Sequence, residues 1–373
     1  MAGAFPMRAL YTFSAALVGA SIAACHDPVA EPRGAAAPGE PPVTSLPPPF
    51  TPDRVMLEEM AMGTHVALTA YTTPRVDARA AREAFESALA EIRRLERLMT
   101  TWRPDSDVSK VNAAAGKEPV VVSNETLEVV QQSLRAAEMS EGTFDITFET
   151  LHGLWKFDED LDPHPPSEAD VKARLAGVGW RHVQVDAAKH TVFIDREGTR
   201  IGLGGIAKGY AVDRAASILT AKGLPAFYVQ AGGDLYARGT KPDGTPWVAG
   251  IRDPRGKPDQ FFALLPLVDH AFSTAGDYER GYVVGGKRYH HIIDPRTGMP
   301  ATASRSVTVW APSAFIADAI DDAIFILGPE KGSKLCESVD GCGAVIVDAK
   351  NNLWVTKRLE GHLKVTAVPT DGI

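Results

Sequence analysis

The part of the chain from about residue 54 to the end predicts a mixed α/β fold of the α+β kind. Segments with apolar residues at every third or fourth position alternate with short apolar runs, and no strict strand–helix–strand rhythm connects them. About three hundred residues are enough for a large core, in one elaborate domain or in two intimately packed subdomains. The sequence therefore predicts a folded domain over residues 54–373.

The longest predicted helix covers residues 76–99. Within it Phe85, Leu89, Ile92 and Leu95 recur at steps of three and four residues, and Arg and Glu occupy other positions. Three more helices are predicted at 124–139 (with Asn124 or Ser123 as the N-cap), 210–222 and 314–327.

Short apolar runs bounded by turn residues predict the strands. They lie around 60–64 and at 183–185, 191–194, 226–230, 247–252, 261–268, 306–310, 343–347 and 353–355. The last two are expected to form a closing hairpin. A turn at 102–107 and a proline-rich loop at 158–166 interrupt the pattern.

Residues 1–24 have the pattern of an export signal. Arg8 is the one charged residue before an apolar and small-residue run, which is too short, and too soon followed by proline, for a permanent membrane span. The run ends at Cys25, and Ile-Ala-Ala-Cys resembles the lipobox of bacterial lipoproteins, in which the cysteine is diacylated. An ordinary secretory signal with a chance cysteine is the alternative.

Residues 25–53 are rich in Pro, Ala and Gly and predict an extended tether. His26, rather than aspartate, follows Cys25, which by resemblance to Gram-negative sorting patterns favours the outer membrane. We therefore expect a protein that is lipid-anchored on the periplasmic side of a bacterial membrane.

Charge and cysteine content exclude several classes of function. Lys and Arg total 39 against 47 for Asp and Glu, a net charge of −8, and no basic run occurs, so we expect no nucleic-acid partner. Besides Cys25, the chain contains Cys336 and Cys342. Their spacing supports neither a redox CxxC motif nor a zinc site, and leaves a structural disulfide or two inert thiols.

Two segments carry candidate chemistry. In the first, His291 and Asp294 stand beside a turn fixed by Pro and Gly; the histidine is a candidate general base, since an unperturbed imidazole titrates near ambient pH, or a satisfied turn residue. In the second, Asp318 and Asp322 lie four apart, on one helix face, and suit a hard cation; Asp321 is expected to point outward. Solvated carboxylates at a helix N-terminus are the alternative.

A glycine-rich connection precedes the helix predicted at 210–222. Gly202, Gly204 and Ala207 match G-x-G-x-x-A, but the acidic residue expected about twenty positions later is missing, so a dinucleotide-binding fold is not supported. The glycines and Lys208 still predict an anion site at the start of this helix. Tight strand–helix packing is the alternative.

Seven segments, taken in order, resemble the ApbE-type FAD:protein FMN transferases. They include Gly-Thr-Phe-Asp-Ile-Thr and His-Ile-Ile-Asp-Pro-Arg-Thr-Gly, and they lie at 62–64, 101–106, 142–147, 204–211, 231–234, 291–298 and 317–319. The resemblance implies an ApbE-like fold of two intimately packed subdomains with an FAD cleft between them. The residues implied to line this cleft are Met62, Trp102, Thr143, Phe144, Asp145, Lys208 and Ile293. It also implies Mg²⁺ held by Asp318, Asp322 and the carbonyl oxygen of Gly205.

The chain departs from the family pattern at three positions. Gly202 stands where an aspartate is usual, which leaves one contact to FAD in doubt, and Ala275 replaces a usual serine. Asp322 replaces a common threonine, which makes the expected metal site more anionic.

The resemblance implies Mg²⁺-dependent transfer of FMN from FAD to a Ser or Thr hydroxyl of a target protein, with release of AMP. His291 and Asp294 fall on the family's H-x-x-D-P segment, and His291 would take the hydroxyl proton. The implied target is an exported or membrane redox protein. Two alternatives are an FAD pyrophosphatase, with water as acceptor, and a periplasmic lipoprotein that binds FAD without chemistry.

Overall fold

A computed structural model of the chain describes residues 50–157 and 161–372. The predicted signal (1–24), Cys25 and all but the last four residues of the tether (25–53) lie outside the described residues, as do positions 158–160 of the predicted loop. The strands are β1 Arg54–Ala61, β2 Thr64–Tyr71, β3 Val120–Val121, β4 Val183–Asp186, β5 Thr191–Ile194, β6 Phe227–Ala231, β7 Asp234–Arg238, β8 Trp247–Arg252, β9 Phe261–Leu267, β10 His270–Gly276, β11 Gly281–Val284, β12 Lys287–His290, β13 Ile293–Asp294, β14 Met299–Pro300, β15 Ser304–Ala311, β16 Gly343–Asp348, β17 Leu353–Val355 and β18 Lys364–Val365. The helices are α1 Ala78–Met99, α2 Asp107–Ala113, α3 Asn124–Met139, α4 Glu168–Leu175, α5 Ala207–Ala221 and α6 Ala314–Glu337.

An antiparallel sheet of eight strands forms the centre of the fold. Its order is β1-β2-β6-β7-β10-β15-β16-β17, and each neighbouring pair is antiparallel. Its strands come from the first, middle and last parts of the chain, so the sheet joins them into one unit from Phe50 onward. The predicted mixed α/β class is confirmed.

The two faces of this sheet bury different cores. On β6, Phe227 and Val229 belong to the core that includes the helices, whereas Tyr228 packs against a second core. This alternation is the period-two geometry of a strand with both faces covered. The second core also contains Trp247, Phe262 and neighbouring residues of the three-stranded sheet β18-β9-β8. The sheet is therefore a middle layer between helices and a smaller sheet.

Helices α1, α5 and α6 cover the first face. The apolar stripe predicted for α1 is fully buried at Phe85, Leu89, Ile92 and Leu95. The carboxylate of Asp213 in α5 accepts the backbone N–H groups at the start of α6, which fixes the two helices against each other. This contact places the first turns of α5 and α6 at the same end of the molecule.

Most predicted elements are confirmed within a few residues, and two differ. Residues 60–64 contain the end of β1, a two-residue turn at Met62 and Gly63 with φ of 52° and 67°, and the start of β2, so this segment is a hairpin tip and not one strand. Helix α6 runs ten residues beyond its predicted end, across a break at Gly328 with φ of 73°. Within the described residues, no helix is long and apolar enough to cross a membrane.

Cys336 and Cys342 are free, buried thiols at the end of α6 and just before β16. Their Sγ atoms lie 2.8 Å apart. Their burial together fits a structural role in packing α6 against the sheet.

Candidate active site

The candidate site forms where the first turn of α5 lies against α6. A Cβ atom on Gly209 would stand 2.3 Å from the carbonyl oxygen of Ala314 and 2.7 Å from Cβ of Asp318. Any side chain at 209 would therefore push the helices apart, so this approach requires glycine. The short distance also lets the backbone N–H of Gly209 donate to Oδ2 of Asp318 at 2.8 Å.

Lys208 lies among buried carboxylates. Its Nζ is 3.1 Å from Oδ2 of Asp234, the first residue of β7, and 3.3 Å from Oδ1 of Asp318 in α6. Burial opposes the charge of Lys208, but the neighbouring carboxylates outweigh burial and raise its pKa. Lys208 is therefore a fixed positive charge at a helix N-terminus, which itself favours anions.

The expectation that Asp321 points outward is wrong. Asp321 is only 4% exposed, because it follows Asp318 by three residues and so shares its helix face. Oγ of Ser273 lies 2.6 Å from Oδ1 of Asp234 and 2.6 Å from Oδ2 of Asp321. A hydroxyl has one proton to donate, so one of these contacts needs a protonated carboxyl group. Burial and the nearby Asp322 raise the pKa of Asp321 well above its usual value, which makes Asp321 the protonated partner.

Asp322 lies against the loop that leads into α5. A Cβ atom on Gly205 would stand 3.3 Å from Oδ2 of Asp322. Burial, with Asp234 adding to it, raises the pKa of Asp318 to about 7 and that of Asp322 to about 6, against the opposing charge of Lys208. The structure thus brings together the three predicted ligand positions, Gly205, Asp318 and Asp322.

The charge imbalance of this cluster fits a divalent cation. One carboxylate oxygen from each of Asp234, Asp318 and Asp321 lies within 4.8 Å of the other two, and Lys208 is the cation that contacts the first two of them. Burial, with repulsion between these carboxylates adding to it, raises the pKa values of Asp318 and Asp321, and oxygen-rich anionic sites suit Mg²⁺. Sequence reasoning missed Asp234 and Asp321 as members. The i, i+3 spacing from Asp318 was the available indication for Asp321.

His291 follows the hairpin formed by β11 and β12. Its Nδ1 lies 3.4 Å from the carbonyl oxygen of Arg280, and its backbone N–H donates to the same oxygen at 3.1 Å. A carbonyl can only accept, so this contact favours the tautomer protonated on Nδ1, which leaves the Nε2 lone pair free. Burial, with His290 and Arg280 adding to it, lowers the pKa of His291 to about 3. The imidazole is therefore neutral near ambient pH. The sequence predicted an unperturbed pKa for His291, and the structure differs on this point.

Asp294 is paired with Arg296. Its Oδ1 accepts the backbone N–H and Nε–H of Arg296, both at 2.9 Å, and its Oδ2 accepts Nη2–H at 2.7 Å. Its carbonyl oxygen accepts the N–H of Gly298 at 2.8 Å, which closes the turn after His291. These contacts give Asp294 a turn-fixing role, and its catalytic role stays a prediction.

Comparison with known proteins gives one family. The model of the ApbE family matches residues 62–346, which is most of the chain. The chain belongs to the ApbE family. The resemblance inferred from the seven segments is thereby confirmed.

Relatives of this ApbE-family chain are named by their activity. This chain is 33% identical to an FAD:protein FMN transferase of Klebsiella pneumoniae over 284 aligned residues. The aligned region covers 75% of this chain and 80% of that protein. The chain is 33% identical over 304 residues to an FAD:protein FMN transferase of Treponema pallidum, covering 78% and 83%. The crystal structure of the ApbE protein of Thermotoga maritima has a TM-score of 0.75 and 32% identity, covering 83% and 99%. The ApbE-like fold is thereby confirmed.

The aromatic residues expected to line the cleft differ in exposure. Trp102 is 81% exposed, and its ring meets that of His152 edge-on at a centroid distance of 5.6 Å. Phe144 is buried, and its ring edge lies 3.6 Å from the place that a Cβ atom on Gly205 would take. Trp102 is therefore available to pack on a ligand ring, whereas Phe144 supports the loop that precedes α5.

The polar residues beside Phe144 are satisfied within the protein. Thr143 is 1% exposed, and its hydroxyl donates to the carbonyl oxygen of Ser140. Asp145 accepts from the N–H and hydroxyl of Thr147 and from the N–H of Trp180. These contacts shape the wall of the site, and direct contacts with FAD stay predictions for these two residues.

Met62 and Ile293, the remaining predicted cleft residues, are both half-buried. Met62 lies at the β1–β2 hairpin tip, and Ile293 pairs with Pro300 between β13 and β14. Ala275, a departure from the family pattern, is 6% exposed and packs in the helix-side core. The loss of a serine at 275 therefore leaves no gap in the fold.

Proposed function

We propose that this protein transfers FMN from FAD to a Ser or Thr hydroxyl of a target protein. The observation that carries the proposal is the meeting of Lys208 with Asp234 and Asp318 at the N-terminus of α5, with Asp322 beside the loop that leads into this helix, in a chain whose relatives are named FAD:protein FMN transferases. A pyrophosphate repels an incoming nucleophile, so its transfer depends on charge neutralisation and on positioning. The cluster supplies both a fixed cation and ligands for a second one.

In the proposed reaction, the hydroxyl oxygen of the target forms a bond to the FMN phosphorus. The bond from that phosphorus to the bridging oxygen of the pyrophosphate breaks, and AMP leaves with its electron pair. The hydroxyl proton passes to Nε2 of His291, whose Nδ1 faces the Arg280 carbonyl. The products are AMP and a flavin linked through a phosphoester.

The residues of the cluster divide the remaining work. Lys208, whose raised pKa keeps it charged, neutralises phosphate oxygens at the start of α5. Asp318, Asp322 and the carbonyl oxygen of Gly205 would hold Mg²⁺, which would supply Lewis-acid stabilisation of charge on the pyrophosphate. Asp294 keeps the turn after His291 in place through Arg296.

The test is incubation of the protein with FAD, Mg²⁺ and a flavoprotein domain that carries a Ser or Thr acceptor. A denaturing gel detects covalent flavin fluorescence, and AMP is measured in parallel. We expect a fluorescent band that requires Mg²⁺ and disappears when the acceptor residue is replaced by Ala. AMP without a band across several acceptors would identify a pyrophosphatase instead. Bound FAD with neither product would identify a binding protein.

We further propose a lipid anchor at Cys25 and a position on the periplasmic side of a bacterial membrane, with the outer membrane favoured. The support is the sequence alone: a short apolar run that ends at the cysteine, followed by a proline-rich tether at 25–53. The target would then be an exported or membrane redox protein. Labelling with a fatty-acid analogue should mark the wild type and not Cys25→Ala; equal labelling would remove the proposal.

A further inference from the structure

Glu149 is a buried acid whose carboxylate is incompletely satisfied. It lies in the short 3₁₀ turn Ile146–Leu151 and is 8% exposed. Its Oε1 is fully buried and has no hydrogen-bond partner; the nearest basic groups are Nδ1 of His152 at 3.4 Å and Nη2 of Arg200 at 3.9 Å. A buried acceptor without a donor costs free energy, so its presence calls for a reason.

Gly202 leaves the space that this carboxylate fills. A Cβ atom at 202 would stand 2.8 Å from Oε2 and 3.1 Å from Cβ of Glu149. The φ of Gly202 lies outside the left-handed region, so its backbone conformation does not require glycine. The space for Glu149 is therefore what glycine provides at this position. The carboxylate of Glu149 therefore lies where a side chain at 202 would begin.

The location connects this carboxylate to the candidate site. Gly202 precedes Gly205 by three residues in the loop that leads to Lys208, and the N–H of Gly202 is tied to the carbonyl oxygen of Ile146 at 2.9 Å. On the other side, His152 joins Glu149 to the exposed ring of Trp102. The carboxylate thus lies between a ring-packing candidate and the loop beside the metal ligands.

We propose that Glu149 recognises FAD through Oε2, the oxygen that faces Gly202, which accepts a hydrogen bond from an uncharged N–H or O–H donor of the dinucleotide in place of a side chain at 202. An anionic acceptor suits a donor and repels phosphate, so the donor belongs to the adenosine or to the flavin part. This inference rests on the proposed function only for the identity of the ligand. The proposed role of Glu149 is recognition of the ligand, not a step of the reaction.

The experiment measures FAD binding and transfer kinetics for the full chain with Glu149→Gln. A charge-assisted hydrogen bond to a buried carboxylate is lost, so the Kd and KM for FAD should rise at least about 10-fold, while kcat changes less than about 3-fold. Binding of ADP and of FMN is measured separately. Weakening of ADP binding locates the donor on the adenosine part, and weakening of FMN binding locates it on the flavin part.

Asp107→Asn is the matched control. Asp107 is equally buried at 8%, but its Oδ2 accepts from the N–H and hydroxyl of Ser123 and from the hydroxyl of Thr126. Its replacement should lower the melting temperature and leave the KM for FAD unchanged. Glu149→Gln should do the opposite and raise the KM for FAD. Without ligand, its melting temperature should equal or exceed that of the wild type, because the variant no longer buries a carboxylate whose Oε1 lacks a hydrogen-bond donor.

A relocated carboxylate provides the rescue test. Gly202→Asp alone should weaken FAD binding, because its Cβ collides with Glu149. Combined with Glu149→Ala, the aspartate gains space and should restore most of the FAD affinity lost in Glu149→Ala. Unchanged FAD affinity in Glu149→Gln, or no rescue by the double variant while it still folds, would overturn the inference. If the wild type binds FAD without transferring FMN, the proposed function fails. The role of Glu149 is then still tested by comparing the Kd for FAD of the wild type with that of the variants.

Discussion

At the beginning of α5, Lys208 meets the carboxylates of Asp234 and Asp318, whereas between β8 and β9 Arg255 forms a one-to-one pair with Asp277. The second pair is bidentate, at 2.6 and 2.7 Å, and both side chains are less than a tenth exposed. The one positive and the one negative charge of this pair balance, and its geometry is that of a strong ion pair. The first site, with Asp321 and Asp322 beside it, contains more acids than its lysine can match. Charge balance therefore separates a structural ion pair from a site built to receive a cation.

The largest effect is expected from Asp318→Asn, which removes a carboxylate from the acidic cluster. Loss of one carboxylate should weaken Mg²⁺ binding and reduce FMN transfer about 1,000-fold, since metal stabilisation of the transition state is worth several kcal/mol. Transfer is measured by covalent flavin fluorescence over a range of Mg²⁺ concentrations. Asp340→Asn, an exposed aspartate just after α6, is the control and should keep full activity. More than a tenth of wild-type activity in Asp318→Asn would contradict the proposed metal site.

The structural half of the comparison is tested by Asp277→Asn. Removal of one partner leaves the Arg255 charge buried, so the free energy of unfolding should fall by about 3 kcal/mol. Urea denaturation of the wild type and the variant measures this loss. The double variant Arg255→Met with Asp277→Asn should recover part of it, because the unpaired charge is gone. A double variant as unstable as the sum of both single variants would show that the two residues do not act as a pair.

The smallest expected effect is a pH dependence that belongs to the acidic cluster. The pKa of Asp318 in the folded protein, about 7, lies above the value of about 4 for an unfolded chain. The folded state therefore binds more protons between these values, and stability without metal falls as pH rises through this window. From pH 6 to pH 8, Asp318 should lower the free energy of unfolding by on the order of 1 kcal/mol.

Urea denaturation in a chelator, at pH 6 and pH 8, measures this difference. Asp318→Asn should have a smaller pH dependence than the wild type, and added Mg²⁺ should stabilise the wild type more at pH 8, where the carboxylates are ionised. An identical pH dependence in the two proteins would contradict the raised pKa of Asp318.

The predictions from sequence were most reliable where one periodicity decides the structure. The buried stripe of α1 and the N-cap Ser123 of α3 follow from local spacing and capping chemistry. They were less reliable where a residue's role depends on contacts distant in the chain. The i, i+4 spacing of Asp318 and Asp322 places these two residues on one helix face, and this pattern alone gives the wrong expectation that Asp321 points outward. Its partner Ser273 lies 48 positions away in sequence, and no local pattern indicates that contact.

Local periodicity and side-chain chemistry are enough to predict the mixed α/β class, the order of the motifs and the residue types of the site. Tertiary structure alone decided which acids face one another. It brought Asp234 from a strand to Lys208 and Asp318 on two helices, lowered the pKa of His291 through burial, and placed Glu149 in the space left by Gly202. These outcomes depend on desolvation and on packing distances between segments far apart in the chain, which one-dimensional spacing does not contain.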